Sequence, residues 1–98
     1  MVSSKKQVLK LIRSNHHQIK AYGIKKLGIF GSIAKETHTL KSDVDILVEF
    51  HRGDKTFDNY MELKFFLEKL FGRRVDLVIK DALKQKIKGH ILSEVNYA

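Results

Sequence analysis

Three aspartates and one Gly-Ser turn are the residues of this chain best suited to chemistry. Asp43 and Asp45 stand one residue apart, Gly31-Ser32 precedes them by ten intervening residues, and Asp76 lies further along. Carboxylates brought together repel one another, and a hard divalent cation between them relieves the repulsion. Mg²⁺ takes oxygen ligands and commonly combines one or two carboxylates with substrate phosphates, so an Asp-x-Asp pair beside a phosphate loop suits a Mg²⁺-nucleotide site. Two such ions can clamp the attacking and leaving oxygens of an in-line displacement at phosphorus. Gly31 would let the backbone approach a triphosphate, Ser32 would offer a hydroxyl and a helix N-terminus, and Lys35 could neutralise charge on departing pyrophosphate. Singly, these features are ordinary: Gly-Ser dipeptides occur in many loops, and an aspartate before a strand is commonplace. Their combination over Leu27–Phe50 carries the reading.

Those residues need strands to hold them. Ile24 to Phe30 is a short run of β-formers ended by Gly31, which predicts a first strand. Ser32 is placed to cap a short helical turn through Ile33, Ala34, Lys35 and Glu36, with Thr37 to Ser42 as loop. Val44, Ile46, Val48 and Phe50 alternate with Asp43, Asp45, Leu47 and Glu49, so the second strand, opening at Asp43, puts both aspartates on one side. Val75, Leu77 and Ile79 alternate with Asp76 in a third strand. If both apolar faces pack on the same helices, Asp76 points the same way as Asp43 and Asp45.

The remaining segments read as helices. Ser4 and Gln7 fit a capping box ahead of Val8, Leu11, Ile12 and Ile19, predicting one helix from Lys5 to Ala21 with Gly23 as its left-handed stop. The neighbouring His16 and His17 diverge by about 100° on such a helix and are read as surface residues. Arg52, Gly53 and Asp54 form a turn. A broad apolar stripe from Phe57 to Phe71 predicts a helix closed by Gly72. Asp81 is expected to cap a last helix in which Ala82, Leu83, Ile87, Ile91 and Leu92 cover the sheet, before a short polar end. The result is an α/β domain with a small mixed sheet and helices packed on one face. The first two strands are antiparallel neighbours, and the intervening helix allows a parallel crossover to the third.

The chain has 98 residues, enough for one domain (1–98) and one modest core. It lacks cysteine, a membrane-length apolar run and a signal-peptide core, which points to the cytoplasm and no membrane. Its net charge of +8 favours acidic partners, but the lysines are scattered and no arginine-rich tract with interleaved aromatics is present, so direct nucleic-acid binding is not expected.

Gly31-Ser32 followed after ten residues by Asp43-Val44-Asp45 resembles the signature of the minimal nucleotidyltransferases, small members of the DNA polymerase β-like nucleotidyltransferase superfamily. The resemblance extends to Leu27–Ser32, Leu47–Phe50 and Leu70–Val78, and so covers nearly the whole chain. It implies the nucleotidyltransferase fold and transfer of a nucleoside monophosphate from a triphosphate such as ATP, with pyrophosphate leaving. It further implies that Gly31 and Ser32 hold the triphosphate and that Asp43 and Asp45 bind two Mg²⁺ ions. Asp76 would complete the metal site and help deprotonate the acceptor hydroxyl. Many such proteins are antitoxins that silence a HEPN-domain toxin by adenylylating a tyrosine, and that activity and partner are the expectation here. The family usually has arginine and then a small residue where this chain has Lys35 and Glu36; lysine keeps the charge without the bidentate fork. Two other readings compete. One is an antitoxin that neutralises its partner by binding alone. The other is transfer to a small molecule or an RNA end, for which no stacking platform is visible.

Overall fold

The computed structural model describes residues 2–98. Helix α1 (Lys5–Ser14) begins where Ser4 accepts the backbone N–H of Gln7 at 3.2 Å. The Gln7 side chain reaches back to the N–H of Ser3, at 2.7 Å, one residue earlier than a reciprocal capping box would have it. The expected continuous helix to Ala21 is broken at Asn15, and α2 (His16–Lys20) follows separately. Asn15 leaves helical geometry (φ −110°, ψ 25°) while its side-chain amide donates to the Leu11 carbonyl at 2.8 Å. The Leu11 carbonyl thus accepts from both the backbone N–H, at 3.1 Å, and the side chain of Asn15, a local side-chain bond that competes with regular helix. His16 and His17 are exposed, as expected.

Strands β1 (Ile24–Phe30), β2 (Val44–Phe50) and β3 (Val75–Ile79) form where the alternation places them, β2 starting one residue after Asp43. β1 and β2 pair antiparallel, and β2 and β3 parallel. The connection between the latter two is α4 (Phe57–Phe71), opened by the Thr56 side chain accepting from Asn59 N–H and closed at Gly72. Val8, Ile12, Ile19, Leu63, Leu67 and Phe71 from the helices bury against Ile24, Ile29, Val44, Ile46, Val48 and Val75 from the sheet. Each fully buried aliphatic or aromatic side chain contributes on the order of 1.5–3 kcal/mol. Helices therefore fix the orientation of three strands from one face.

β3 is an edge strand, and α4 covers its unused backbone groups. Tyr60 Oη donates to the Leu77 carbonyl at 2.7 Å, and Glu68 accepts the Val75 N–H at 3.0 Å. An edge closed in this way is a poor template for pairing with another chain.

The C-terminal region departs from expectation. Asp81 does not cap the last helix; it lies in a 3₁₀ turn, Lys80–Ala82. Leu83 and Lys84 are extended, and α5 (Gln85–Glu94) starts without a side-chain cap. After it, β4 (Asn96–Tyr97) pairs antiparallel with β1, so the sheet has four strands in the order β3-β2-β1-β4. Two residues are too few to show an alternation, which is why this strand read as a polar end. Gly28 makes room for the arrangement, because a Cβ there would come within 2.7 Å of Val95 Cγ2. Gly28 pairs with the fully buried Leu47. The middle of the second sheet face is thus covered beside Val95, and the aspartate end stays open.

Candidate active site

The strand register builds a row across the sheet: Phe30 opposite Asp45 and Asp45 opposite Asp76. Asp43 sits just ahead of β2, fixed by Val44 N–H donating to the Arg74 carbonyl at 2.9 Å. Asp43 and Asp76 are exposed, and Asp45 is half-buried. Burial pushes the Asp45 carboxyl up from 3.8 to about 6, helped by the charges of Asp76 and then Asp43, while the backbone amide of Ser32 opposes the rise. Two neighbouring carboxylates raising a third are the electrostatic mark of a site that gains from a cation. Among the described residues, none of the three makes an ion pair.

The turn after β1 backs onto the same carboxylate. Helix α3 (Gly31–Lys35) begins directly at Gly31, with Phe30 in the cap position, so Ser32 lies inside the first turn instead of capping it. Gly31 has φ +71°, and a Cβ on it would stand 2.9 Å from Asp45 Cγ and closer still to Oδ2. Glycine is therefore required here both by backbone conformation and by space. The first-turn amides of a helix have no intrahelical acceptor; that of Ser32 is taken by Asp45, and the others are able to receive phosphate oxygens.

Lys35, placed with the phosphate group of residues from sequence, is already engaged. Its Nζ is 3.0 Å from Glu94 Oε1 at the end of α5, and His90 Nε2 is 3.1 Å from the same oxygen. A triphosphate would have to draw Lys35 away from Glu94. Nothing in the sequence pattern announced that pair, since it joins residues far apart in the chain. Glu36 ends α3 in the left-handed region, φ 61°. Relieving that conformation with Glu36→Gly should stabilise the fold by about 0.5–1 kcal/mol, after the greater freedom of unfolded glycine is subtracted. Thermal denaturation should show a melting temperature higher by roughly 2–6 °C; a decrease would mean that the Glu36 backbone carries no strain.

Arg73 is a residue whose role the sequence did not reveal: in the run Phe71-Gly72-Arg73-Arg74-Val75 nothing separates it from its exposed neighbour Arg74. It is 8% exposed and donates to the carbonyls of Val2 at 3.2 Å, of Thr39 at 2.8 Å, and of Ser42. The guanidinium, with five fixed donors, thereby ties the loop ahead of Asp43 to the start of β3.

The donor set suits a hard cation that arrives with phosphate. Its side chains are carboxylates, without sulfur or imidazole, and Asp45 is held proton-prone by burial and then by Asp76 and Asp43. Among the described residues, no three acidic, histidine or cysteine side chains are gathered as a ready-made metal cage. Phosphate oxygens would have to complete the coordination, as is usual for Mg²⁺.

Residues 6–98 match the family of nucleotidyltransferase domains. The chain is 42% identical over 76 residues to the protein adenylyltransferase MntA of Thermococcus cleftensis, a match covering 78% of this chain and 76% of that protein. A solved structure of a candidate minimal nucleotidyltransferase superposes with a TM-score of 0.84 at 28% identity, over 96% of this chain and 95% of the other. The fold also matches, with a TM-score of 0.58 at 20% identity, a chain from a complex of a tri-AMPylated Shewanella oneidensis HEPN toxin with its MNT antitoxin. That match covers 94% of this chain and 66% of the other.

Proposed function

This chain belongs to the nucleotidyltransferase-domain family, and we propose that it is a Mg²⁺-dependent protein adenylyltransferase of the minimal type. In this reading it transfers AMP from ATP to a tyrosine hydroxyl of a HEPN-domain toxin and so acts as its antitoxin. The observation that carries it is Asp45, held between the Gly31-Ser32 turn and the carboxylates of Asp43 and Asp76. The protein adenylyltransferase MntA at 42% identity supports the reaction class. The AMPylated HEPN toxin bound by an MNT antitoxin, in a neighbour of the same fold, supports the partner; the tyrosine comes from the family resemblance.

Asp43 and Asp45 would hold the metal, with Asp76 completing the set, and the Gly31 amide and the Ser32 hydroxyl would face the phosphates, the Ser32 amide being engaged by Asp45. Bound there, Mg²⁺, as one ion or two, would supply Lewis-acid stabilisation of charge on the phosphate oxygens. The acceptor oxygen forms a bond to the α-phosphorus as the bond from that phosphorus to the β-phosphate oxygen breaks, and pyrophosphate leaves. Asp76 takes the proton from the acceptor hydroxyl, and Lys35, drawn from Glu94, offsets charge on the pyrophosphate. Residues 1–98 act as one domain in this scheme. No helix among the described residues is long and apolar enough to cross a membrane, and a cytoplasmic setting follows from the same reading.

Intact-mass measurement of a HEPN-domain partner, incubated with the protein, ATP and Mg²⁺, should show additions of one adenylate mass each, lost when EDTA is added. An unmodified partner would sink the transferase reading. The engagement of Lys35 by Glu94 favours one alternative, neutralisation by binding alone. A partner silenced without any gain in mass would establish it.

A further inference from the structure

We propose that Glu94 is a positioning residue of the nucleotide site: it withholds Lys35 from the β- and γ-phosphates until they bind, and takes it back as pyrophosphate leaves. The inference rests on the transferase reading above and extends it to how the site loads and empties. Lys35 stands four residues after Gly31 in α3, which puts both on one face of the helix, and a helical side chain leans over the turn that precedes it. Its ammonium can therefore reach phosphates beside Gly31. Instead, Lys35 Nζ lies 3.0 Å from Glu94 Oε1.

The fold fixes Glu94 in this place. The Asn96 side chain donates to the Glu94 carbonyl at 3.1 Å, and Asn96 itself pairs in β4 with Ile29, two residues before Gly31. The pairing of β4 with β1 thus delivers Glu94 to the start of α3. Local helix energetics work against it, because a carboxylate at the last position of α5 faces the negative end of that helix. Contacts with cations and N–H donors offset this. Lys35 supplies one, and His90, one helical turn earlier, has its Nε2 3.1 Å from the same Oε1. One carboxylate oxygen is therefore shared by two nitrogens. When phosphates draw Lys35 away, His90 stays placed to donate to Glu94, so the exchange strands no carboxylate. The Lys35 and Glu94 side chains are 49% and 20% exposed, and a pair this open to water is weak enough to exchange, shifting affinity only a few-fold.

Glu94→Gln removes the charge and keeps the size. Titration calorimetry with Mg²⁺ should show ATP and pyrophosphate each binding about two- to five-fold tighter to this variant than to the wild type. AMP, which lacks the phosphates Lys35 would serve, should bind equally to both. In a Lys35→Gln background, Glu94→Gln should change nothing, so the double-mutant cycle will be non-additive. With a HEPN-domain partner present, the KM for ATP should fall with Kd. Tightening that extends to AMP, or that survives in Lys35→Gln, would make Glu94 a general charge near the site and overturn the positioning role. Weaker or unchanged ATP binding by Glu94→Gln overturns it as well, and leaves the transferase reading standing if the partner still gains adenylate. A partner that gains no mass, together with selective tightening of ATP and pyrophosphate, removes the transferase reading and keeps the role of Glu94.

Discussion

Asp45→Asn is expected to abolish adenylate transfer while making the protein more resistant to heat at neutral pH. The loss of activity follows from the site: a neutral amide replaces the carboxylate that lies between the Gly31-Ser32 turn and the other two aspartates. Losing several kcal/mol of transition-state stabilisation lowers the rate on the order of 10³-fold. The gain in stability follows from electrostatics. The Asp45 carboxyl is pushed up to about 6 by burial, Asp76 and Asp43, so the folded chain binds this proton more tightly than the unfolded chain does. Stability is therefore highest where Asp45 is protonated and falls as pH rises from about 4 through about 6. Above that window the wild type carries the whole penalty and the asparagine variant does not. Because Asp45 is partly exposed, solvent screening reduces the gain, and a few degrees in melting temperature at pH 7.5 is expected. The advantage should vanish near pH 4. Mg²⁺ should raise the melting temperature of the wild type at pH 7.5 more than that of the variant, because only the wild type has repulsion for the ion to relieve. A variant less stable than wild type at pH 7.5, or an advantage that grows on acidification, would contradict the assigned electrostatics.

The same opposition between function and stability explains which parts of the molecule were legible in the sequence. Periodicity exposes burial, so β1, β2, β3 and α4 could be placed from Val44, Ile46, Val48, Leu63, Leu67 and their counterparts. The strand parity that put Asp76 beside Asp45 is the same physics, since side chains on paired strands share a face. Interactions between distant residues leave no such trace. The Lys35–Glu94 pair, the cradle of carbonyls around Arg73 and the pairing of Asn96–Tyr97 with β1 all depend on chain segments that meet only after folding. Local competition was a separate blind spot. Asn15 fits the helical spacing but leaves helical geometry while its side chain joins its own N–H at the Leu11 carbonyl, so the first helix breaks without any loss of apolar periodicity. Asp81 has the residue type of a cap, but Ala82 of the same 3₁₀ turn and the extended Leu83 and Lys84 separate it from α5, which puts it too early to cap that helix.

Gly31→Ala should also damage transfer strongly, though less than the loss of Asp45, through geometry and not charge. Two costs combine at this position. A non-glycine residue at φ +71° pays on the order of 1–2 kcal/mol. The added methyl also enters the space of the Asp45 side chain, 2.9 Å from Cγ and 3.2 Å from Cβ, so Asp45 must turn away from the Gly31-Ser32 turn. Misplacement of a reacting group by about 1 Å costs on the order of 10²-fold in rate, and the loss should fall mainly on kcat. Gly53→Ala provides the control, because Gly53 has φ +88° but a Cβ there meets nothing within 4 Å. It should lower the melting temperature through backbone strain alone and leave transfer intact. Combining Gly31→Ala with Asp45→Ala isolates the steric part. With most of the obstructing side chain removed, Gly31→Ala should cost little more stability than Gly53→Ala does, so the two substitutions at the site will be non-additive. Strict additivity in thermal or chemical denaturation would show that Gly31 and Asp45 do not press on one another, and the Gly31 turn would lose its role as the fixed backing of the carboxylate.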